Sequence, residues 1–408
     1  DYSVARTKSG ELGIKGEKGK LWVPIRNIID HVRGEEGKRA IKVVLLENVP
    51  RLLNSPASAR GQNFAAILSE LLSMGYHVEW RVINASEYGF PQQRRRVFIF
   101  AYRNYTYNGV GDTNGYVNYG CSKVSDRRRM RRWLLGEEGE DIDEMEIGPF
   151  AGAFPLKAAL APRPMELPTT GFTEKDSDFG PAGYAWKKRT HTENGIRRHS
   201  VQMFWNVTDV EPEYEDKHQT LGGVLVDEHD PNYELDNENG LLDRYAYMKG
   251  EQKEWRIRKE DAGKAREIKG DLWALYQKCT RGYRTDWWAD SREDPRYLEG
   301  LEQGLIYQYT AGAMAYPDPL DKPSRTVVTA EIGKSVSRMR HVIEYEEGKF
   351  RGLMPLELER LNMFPDNWTD IDGITDSRRG FLMGNALVVG VVRKLAGPLA
   401  RLMRDRSQ

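Results

Sequence analysis

Hydrophobic residues recur at helical and strand spacing along the first hundred residues. Leu21–Val32 has the helical repeat, and so has Phe64–Met74, which runs into Gly75, a residue that commonly follows the end of a helix. Three segments have the apolar or alternating pattern of strands, namely Ile41–Leu46, His77–Ile83 and Arg96–Tyr102. Helices and strands in alternation predict an α/β fold with a mostly parallel sheet, in which Ile41–Leu46 is a buried strand.

This regular pattern is interrupted after about residue 104 and returns near residue 321. In between, Asn, Gly and Asp residues separate short aromatic segments, which is typical of turns and loops. Further on, the sequence predicts a strand at Thr326–Thr329 and helices over Pro355–Asn362 and Leu387–Met403. We therefore expect residues 1–108 and 321–408 to form one α/β framework, and residues 109–320 to form an inserted, loop-rich domain.

The net charge differs sharply between these three segments. The 408 residues contain 61 basic and 61 acidic side chains, which excludes a polycation whose whole surface binds phosphate. The zero total divides into +7 for residues 1–108, −10 for residues 109–320 and +3 for residues 321–408. A basic framework therefore carries an acidic insert.

Composition and residue spacing exclude several classes of protein. With 39% hydrophobic and 30% charged residues, the chain has the composition of a soluble globular protein. No apolar run approaches the roughly 18–20 residues of a membrane helix, and the first residues lack the pattern of a signal peptide. Two cysteines are too few for a disulfide scaffold or a Cys-rich zinc site, and the histidines lack ligand spacing. We expect a cytoplasmic protein without a metal.

The tripeptide Glu47-Asn48-Val49 directly follows the first predicted strand. In open α/β sheets, ligands bind in the crevice outside the carboxyl ends of the strands. A carboxylate there can hydrogen-bond a heterocycle, or protonate it where burial raises the carboxyl pKa. Taken alone, the tripeptide favours a simpler explanation, in which Glu47 is a solvated or helix-capping acid.

An arginine-rich motif, Gly89-Phe90-Pro91-Gln92-Gln93-Arg94-Arg95-Arg96, leads into the third predicted strand. Because side chains alternate along a strand, Arg94 and Arg96 share one face and Arg95 takes the other. Two guanidinium groups on one face can hold a carboxylate or phosphate through paired hydrogen bonds. For Arg95 we expect a solvated sheet edge.

A third motif, Gly380–Val388, contains Gly384-Asn385 just before the last predicted helix. This pair predicts a tight turn that presents backbone N–H groups and an amide at a helix N-terminus. An isolated Asn at this position is most often a helix N-cap, and that explanation stays open for Asn385.

The order and spacing of these motifs resemble those of the cytosine-C5 DNA methyltransferase family. Glu-Asn-Val, then Pro-Gln-x-Arg-x-Arg about 45 residues later, a long insert, and Gly-Asn before a terminal helix follow in the family's order. Lys322–Thr326 and Met354–Pro365 look like its ninth motif, Asp1–Ala5 like the residues after its Pro-Cys-Gln nucleophile, and Gly10–Leu21 like its DNA-closing loop. The resemblance implies a Rossmann-like S-adenosylmethionine-dependent methyltransferase sheet, incomplete in this chain, with residues 109–320 as the target-recognition domain.

The resemblance also implies a reaction and a set of site residues. In this family a cysteine thiolate adds to carbon 6 of a cytosine flipped out of double-stranded DNA, and carbon 5 then takes the methyl group of S-adenosylmethionine. Glu47 is then the residue that binds the flipped base, Arg96 holds the base and the acid, and Arg94 orders the site. The matching cofactor positions are Asn385 and Leu21, and the candidate DNA contacts are Ser3, Arg6 and Gln92.

The sequence also departs from the family pattern. Neither Cys121 nor Cys279 follows a proline, and the Gly-rich turn and acidic residue that hold the cofactor are absent from the sequence. We therefore expect a partner chain or an N-terminal segment to supply the cysteine and these cofactor motifs, and this chain alone to be insufficient. The alternative is a non-catalytic DNA-binding or regulatory subunit with a methyltransferase-like framework. The recognised DNA sequence and the biological role, in restriction–modification, phage defence or another process, stay open.

Overall fold

The computed structural model describes residues 21–34, 41–57, 59–103, 132–134, 148–160, 164–168, 179–191, 198–237, 240–250, 252–257, 306–333 and 336–404. The helices in these ranges are α1 (Trp22–Gly34), α2 (Gln62–Ser73), α3 (Pro149–Ala153), α4 (Leu241–Lys249), α5 (Pro355–Leu361), α6 (Asp376–Asn385) and α7 (Val389–Arg404). The strands are β1 (Val43–Asn48), β2 (Tyr76–Asn84), β3 (Arg95–Arg103), β4 (Leu156–Leu160), β5 (Met165–Glu166), β6 (Ala182–His191), β7 (Arg198–Val207), β8 (Asp209–Pro212), β9 (Glu234–Leu235), β10 (Gln252–Ile257), β11 (Ile306–Ala311), β12 (Ile343–Glu346) and β13 (Lys349–Arg351).

The largest sheet has six strands in the order β1-β3-β2-β6-β7-β5. β1 and β2 run in the same direction and are joined through α2, as in an α/β crossover, but β3 inserts between them and pairs antiparallel with both. The expectation of a mostly parallel sheet is therefore wrong for the described strands, although the α/β class is correct. A short connection between β2 and β3 explains the difference, because neighbouring strands joined by a short loop must run antiparallel.

One face of this sheet carries the main hydrophobic core. The buried residues of α2 include Phe64, Leu68 and Leu71, and they pack with Val78 and Trp80 of β2. The Trp80 ring contacts the Phe64 ring edge-on, with 5.3 Å between the ring centroids. The amphipathic spacing seen in the sequence is thus the spacing that buries α2 on the sheet, and the predicted α1, α2, β2 and β3 are confirmed.

β1 lies at one edge of the described sheet rather than in its interior. No residue of β1 is fully buried, and Leu45 is 36% exposed. The prediction of a buried strand at Ile41–Leu46 is therefore wrong as to burial. An unbroken apolar run is expected of an interior strand, yet β1 pairs only with β3 among the strands the structure describes.

Strands from the predicted insert extend the framework sheet. β6 pairs antiparallel with β2, and β7 pairs antiparallel with β6. By packing, the chain forms two compact units, one of Asp1–Gln219 with Leu387–Gln408 and one of Thr220–Ala386. The domain boundaries drawn from the sequence stay a prediction, but residues 182–191 and 198–207 are regular strands rather than loops.

The second unit has its own smaller core, formed around Leu221, Val327, Leu358 and Met383. The predicted helix over Pro355–Asn362 is confirmed as α5. The predicted strand at Thr326–Thr329 is wrong, because this apolar segment is extended coil and turn with Val327 buried in the core.

Gly384-Asn385 forms the end of helix α6, and α7 begins a few residues later at Val389. The Thr375 side chain caps the start of α6 by accepting from the Arg378 backbone N–H, and Asn385 Nδ2 donates to the Phe381 carbonyl 3.0 Å away, four residues earlier. The N-cap explanation for Asn385 is therefore wrong. The absence of a Cβ at Gly384 lets the Thr329 backbone lie against this end of the helix, because a Cβ there would be 2.3 Å from the Thr329 nitrogen.

Among the described residues, no single helix has the length and apolar character to cross a membrane, and the bent pair Asp376–Asn385 with Val389–Ala400 meets those two criteria together. Within the same residues, no group of three or more His, Cys, Asp or Glu side chains is arranged to hold a metal ion.

Candidate active site

Glu47 and Arg96 meet on neighbouring strands, as the sequence motifs predict. In the β1–β3 register Glu47 lies opposite Phe98, so Arg96, two residues earlier, is its diagonal neighbour on the same face. The Arg96 Nε lies 2.9 Å from Glu47 Oε1, and both side chains are partly exposed, at 18% and 29%. Arg96 Nη1 also donates to the Arg95 carbonyl at 2.8 Å, which fixes the plane of the guanidinium. The pair forms a charged group at the surface of the sheet, within reach of a ligand.

Burial and charge act in opposite directions on the Glu47 carboxyl. Partial burial raises the pKa of Glu47 above its usual value, and the positive charges of Arg96 and Arg94 oppose that rise. A carboxyl with a raised pKa holds a proton at higher pH than an ordinary glutamate, which suits a group that must share a proton with a bound heterocycle.

Arg94 is the buried member of the arginine motif, at 3% exposure. Burial, with a further contribution from the charge of Arg96, lowers the pKa of Arg94 to about 9, and Glu47 partly offsets this. The main chain holds Arg94 in place, because its N–H donates to the Gln92 carbonyl and its carbonyl accepts from the Ala85 N–H. Glu47, Arg94 and Arg96 therefore form one electrostatically coupled group.

The two other polar residues of the motif differ in exposure. Arg95 is exposed, as expected, but the expected sheet edge is wrong, because β3 lies between β1 and β2 in the described sheet. Gln92 is fully buried, and its Oε1 lies 3.5 Å from Arg94 Nη1. In this structure Gln92 thus faces Arg94 and not the surface, so that a direct Gln92–DNA contact stays a prediction.

Comparison with known proteins gives these residues a family. The sequence profile of the C-5 cytosine-specific DNA methylases matches residues 1–137 and 188–401. The chain belongs to the C-5 cytosine-specific DNA methylase family. The chain is also similar to the Type II methyltransferase M.Sau3AI of Staphylococcus aureus, with 31% identity over 404 residues, which cover 98% of this chain and 76% of that protein.

Other relatives of the methylase match shorter segments. The Type II methyltransferase M.BsuFI of Bacillus subtilis is 40% identical over 77 residues, or 19% of this chain and 18% of that protein. Among solved structures, S. pombe Dnmt2 methyltransferase aligns over 95% of this chain and 74% of its own, at 12% identity and a TM-score of 0.42. Entamoeba histolytica methyltransferase EhMeth aligns over 96% and 70%, at 12% identity and a TM-score of 0.39.

The methylase family uses S-adenosylmethionine as methyl donor, and the structure describes the two residues predicted to contact it. Leu21 is 59% exposed, and the Asn385 side chain is also exposed. An accessible apolar side chain and an accessible amide fit the nonpolar and hydrogen-bonding surfaces of a nucleoside. Their part in holding the cofactor stays a prediction, as do the DNA contacts of Ser3 and Arg6, which lie outside the described residues.

Three residues that carry no sequence signal contact the loop before the methylase's arginine motif. They are Tyr214, His218 and Lys394, and each lies more than 120 residues from that loop along the chain. Residue periodicity reports only local neighbours, so that sequence patterns could not bring these residues together.

Proposed function

We propose that this methylase transfers a methyl group from S-adenosylmethionine to carbon 5 of a cytosine flipped out of a specific duplex DNA sequence. The observation that carries the proposal is the Glu47–Arg96 ion pair, with Arg94 buried beside it. A pure DNA-binding surface needs positive charge but has no use for a partly buried carboxylate, which repels phosphate. The family's chemistry, in contrast, needs a carboxyl group facing the base.

In the proposed reaction Glu47 supports addition to the cytosine ring. When a cysteine thiolate bonds to carbon 6, the ring electrons move toward the ring nitrogen beside the amino group, and the Glu47 carboxyl donates its proton there. Carbon 5 then has enamine character and bonds to the methyl group, while the electron pair of the broken sulfur–methyl bond stays on the cofactor sulfur. Water takes the proton of carbon 5, the thiolate leaves carbon 6, and the ring nitrogen returns its proton to Glu47, which restores the aromatic ring. Arg96 holds the Glu47 carboxyl in position throughout, and Arg94 keeps positive charge close to it.

The cofactor supplies an electrophilic methyl group bound to a sulfonium sulfur. Leu21 and Asn385 are the residues of this chain proposed to contact it, Leu21 through its apolar side chain and Asn385 through its amide.

We further propose that the nucleophilic cysteine comes from a preceding segment or a partner chain. Cys121 follows Gly120 and Cys279 follows Lys278, so that neither has the Pro-Cys sequence of the family's nucleophile. Mixing this chain with a candidate partner that carries Pro-Cys-Gln should restore methyl transfer to DNA. Full activity of the 408 residues alone, or its loss in a Cys121→Ser or Cys279→Ser variant, would contradict this part.

Glu47→Gln in the assembled enzyme tests the proposed role of the carboxyl. Removal of a positioned general acid lowers kcat by about 100-fold or more, and DNA affinity should change less than about 3-fold. Glu166→Gln is a matched control, because Glu166 is an exposed carboxylate on β5 of the same sheet and should leave both quantities unchanged. Single-turnover transfer of labelled methyl groups gives the rate, and fluorescence anisotropy gives the affinity.

The opposite outcome identifies the alternative function. A Glu47→Gln variant that transfers methyl groups at the normal rate, or an assembly that binds DNA without transferring any, would point to a non-catalytic DNA-binding subunit.

By analogy with the Type II methyltransferases that it resembles, we propose that the enzyme acts inside the cell in restriction–modification.

A further inference from the structure

The loop of residues 85–92 connects β2 to the arginine motif and is held by a segment far away in sequence. His218 Nδ1 donates to the Ser86 carbonyl at 2.8 Å, and the Gln219 N–H donates to the Gly89 carbonyl at 3.0 Å. Both residues follow β8, in the region predicted to be an insert. Main-chain carbonyls of the loop therefore accept hydrogen bonds from residues about 130 positions later in the chain.

Gly89 allows Tyr214 to lie directly against this loop. Gly89 has φ +86°, a conformation that L side chains rarely adopt, and a Cβ there would lie 2.0 Å from the Tyr214 hydroxyl oxygen. Two Tyr214 ring carbons would also lie within 2.7 Å of such a Cβ, so that the whole phenol would have to move. The phenol ring thus occupies the space that a side chain at position 89 would need.

Lys394 of α7 projects into a cluster of three aromatic rings at the same place. Its Nζ lies 5.5 Å from the ring centroid of Tyr214, 5.9 Å from that of Phe154 and 6.0 Å from that of Phe90. Phe154 is fully buried and Phe90 nearly so. A cation within about 6 Å of a ring is attracted by the ring quadrupole, and the attraction grows where the site is desolvated.

Phe90 connects this cluster to the active site through a very short path. It is followed at once by Pro91 and Gln92, and Gln92 contacts Arg94 through both its carbonyl and its side chain. Any displacement of Phe90 therefore moves the residue that sets the position of Arg94, and Arg94 acts on the Glu47 carboxyl by its charge.

We propose that Lys394, Tyr214 and Gly89 form a latch that positions Arg94 and Arg96 for methyl transfer. The latch residues are positioning residues, since they act on the reacting base only through the two arginines and Glu47. The proposal rests on the proposed function of Glu47, and it assigns to the C-terminal helix and the 213–219 segment a part in catalysis.

Lys394→Met tests the latch, because methionine keeps the length and apolar stem of lysine and removes its charge. Loss of a cation–π contact of this kind should lower kcat of the assembled enzyme by about 3- to 30-fold, while KM for DNA changes less than about 2-fold. Lys394→Arg should restore most of the rate, because a guanidinium also binds aromatic faces. Tyr214→Leu removes the main ring and should reproduce the Lys394→Met effect.

The pH dependence of kcat separates positioning from loss of fold. Arg94 and Arg96 are the charged groups that lower the Glu47 pKa, so that a loosened latch should raise it and move the alkaline limb of the kcat profile to higher pH. A merely structural role would change the midpoint of thermal unfolding and leave this limb in place. Unchanged kcat and an unchanged limb in folded Lys394→Met and Tyr214→Leu would overturn the latch.

Glu47→Gln measured in parallel keeps the two proposals apart. If Glu47→Gln abolishes transfer and the latch variants behave as wild type, only the latch fails. If Glu47→Gln is itself without effect, the proposed function fails, whatever the latch variants do.

Discussion

Strand β2 carries three ionisable residues, His77, Glu79 and Arg81, on the face opposite Trp80. Glu79 and Arg81 are buried, at 0% and 1% exposure, and His77 Nδ1 lies 2.6 Å from the Tyr184 hydroxyl oxygen. Burial raises the pKa of Glu79 to about 8, against the opposing charge of Arg81, and burial lowers the pKa of His77 to about 4. Arg81 itself donates to the main-chain carbonyls of Phe154 and Leu134. Tyr184 therefore holds His77, and the main chain at Leu134 and Phe154 holds Arg81.

These two pKa shifts predict how the stability of the first unit varies with pH. A carboxyl whose pKa is raised on folding loses stability as pH rises toward the folded value, whereas a histidine whose pKa is lowered gains stability up to its unfolded value near 6.5. Of these two groups Glu79 dominates between pH 6.5 and 8, and its titration should lower the unfolding free energy by about 2 kcal/mol. Glu79→Gln should remove this fall in urea unfolding curves. An equal fall in the variant would show that another group causes it.

Arg96→Lys tests whether the active site needs a guanidinium rather than a positive charge. Arg96 contacts both Glu47 Oε1 and the Arg95 carbonyl through separate nitrogens, a geometry that one ammonium group does not reproduce. We expect kcat/KM to fall about 10- to 100-fold in Arg96→Lys, measured as methyl incorporation into DNA. Arg95→Gln, which removes an exposed neighbour, is the control and should stay within about 2-fold of wild type. Wild-type activity of Arg96→Lys would show that methyl transfer does not need the two separate contacts of the guanidinium.

At the scale of the elements, the sequence predicted the positions of α1, α2, β2 and β3 but not the directions of the strands. The apolar spacing of β2 and β3 identified both strands, and the loop between them contains the turn. The direction of a strand depends on the connection that precedes it. The connection from Asn84 to Arg95 is too short for a helical crossover, so that β3 runs antiparallel to β2. The alternation of helices and strands in the sequence does not show this. Burial of β1 was overestimated because composition does not distinguish an edge strand from an interior one.

Helix α6 shows how a local motif can be read at the wrong end of a helix. Gly-Asn is common both before and after helices, and the structure places this pair at the end of α6. The Thr329 backbone lies against Gly384 there. Gly384→Ala should destabilise the second unit by more than about 2 kcal/mol, because backbone atoms at 2.3 Å leave no room for a methyl group.

Gly380→Ala is the matched variant for this prediction. Gly380 lies in the same helix, so that alanine gains the same helix propensity, but its Cβ would meet only the Ile332 side chain, at 3.0 Å. A side chain can move where a backbone cannot, and we expect a much smaller loss of stability in chemical denaturation. Equal losses of stability in the two variants would mean that the Thr329 backbone can also move away.

At the scale of the whole molecule, the distribution of charge matters more than the total. The first 108 residues carry +7 and contain Arg94–Arg96, whereas residues 109–320 carry −10. Association of the assembled enzyme with duplex DNA should weaken steeply with salt, since each phosphate contact releases counterions. An anisotropy titration between 50 and 200 mM salt should show at least about a 10-fold loss of affinity for about two or more phosphate contacts. A flat profile would indicate that the acidic region cancels the framework.

The contact between Gly89 and Tyr214 has a consequence for the evolution of the family. Because the phenol occupies the volume that any Cβ at position 89 would fill, position 89 is not free to change while the ring is present. Relatives that carry a side chain at the position equivalent to Gly89 should carry a smaller residue opposite it, whereas relatives that lack the ring should still favour glycine because of the positive φ. An alignment of the family should therefore show that an aromatic ring at the position of Tyr214 occurs together with glycine at the position of Gly89, 125 residues earlier.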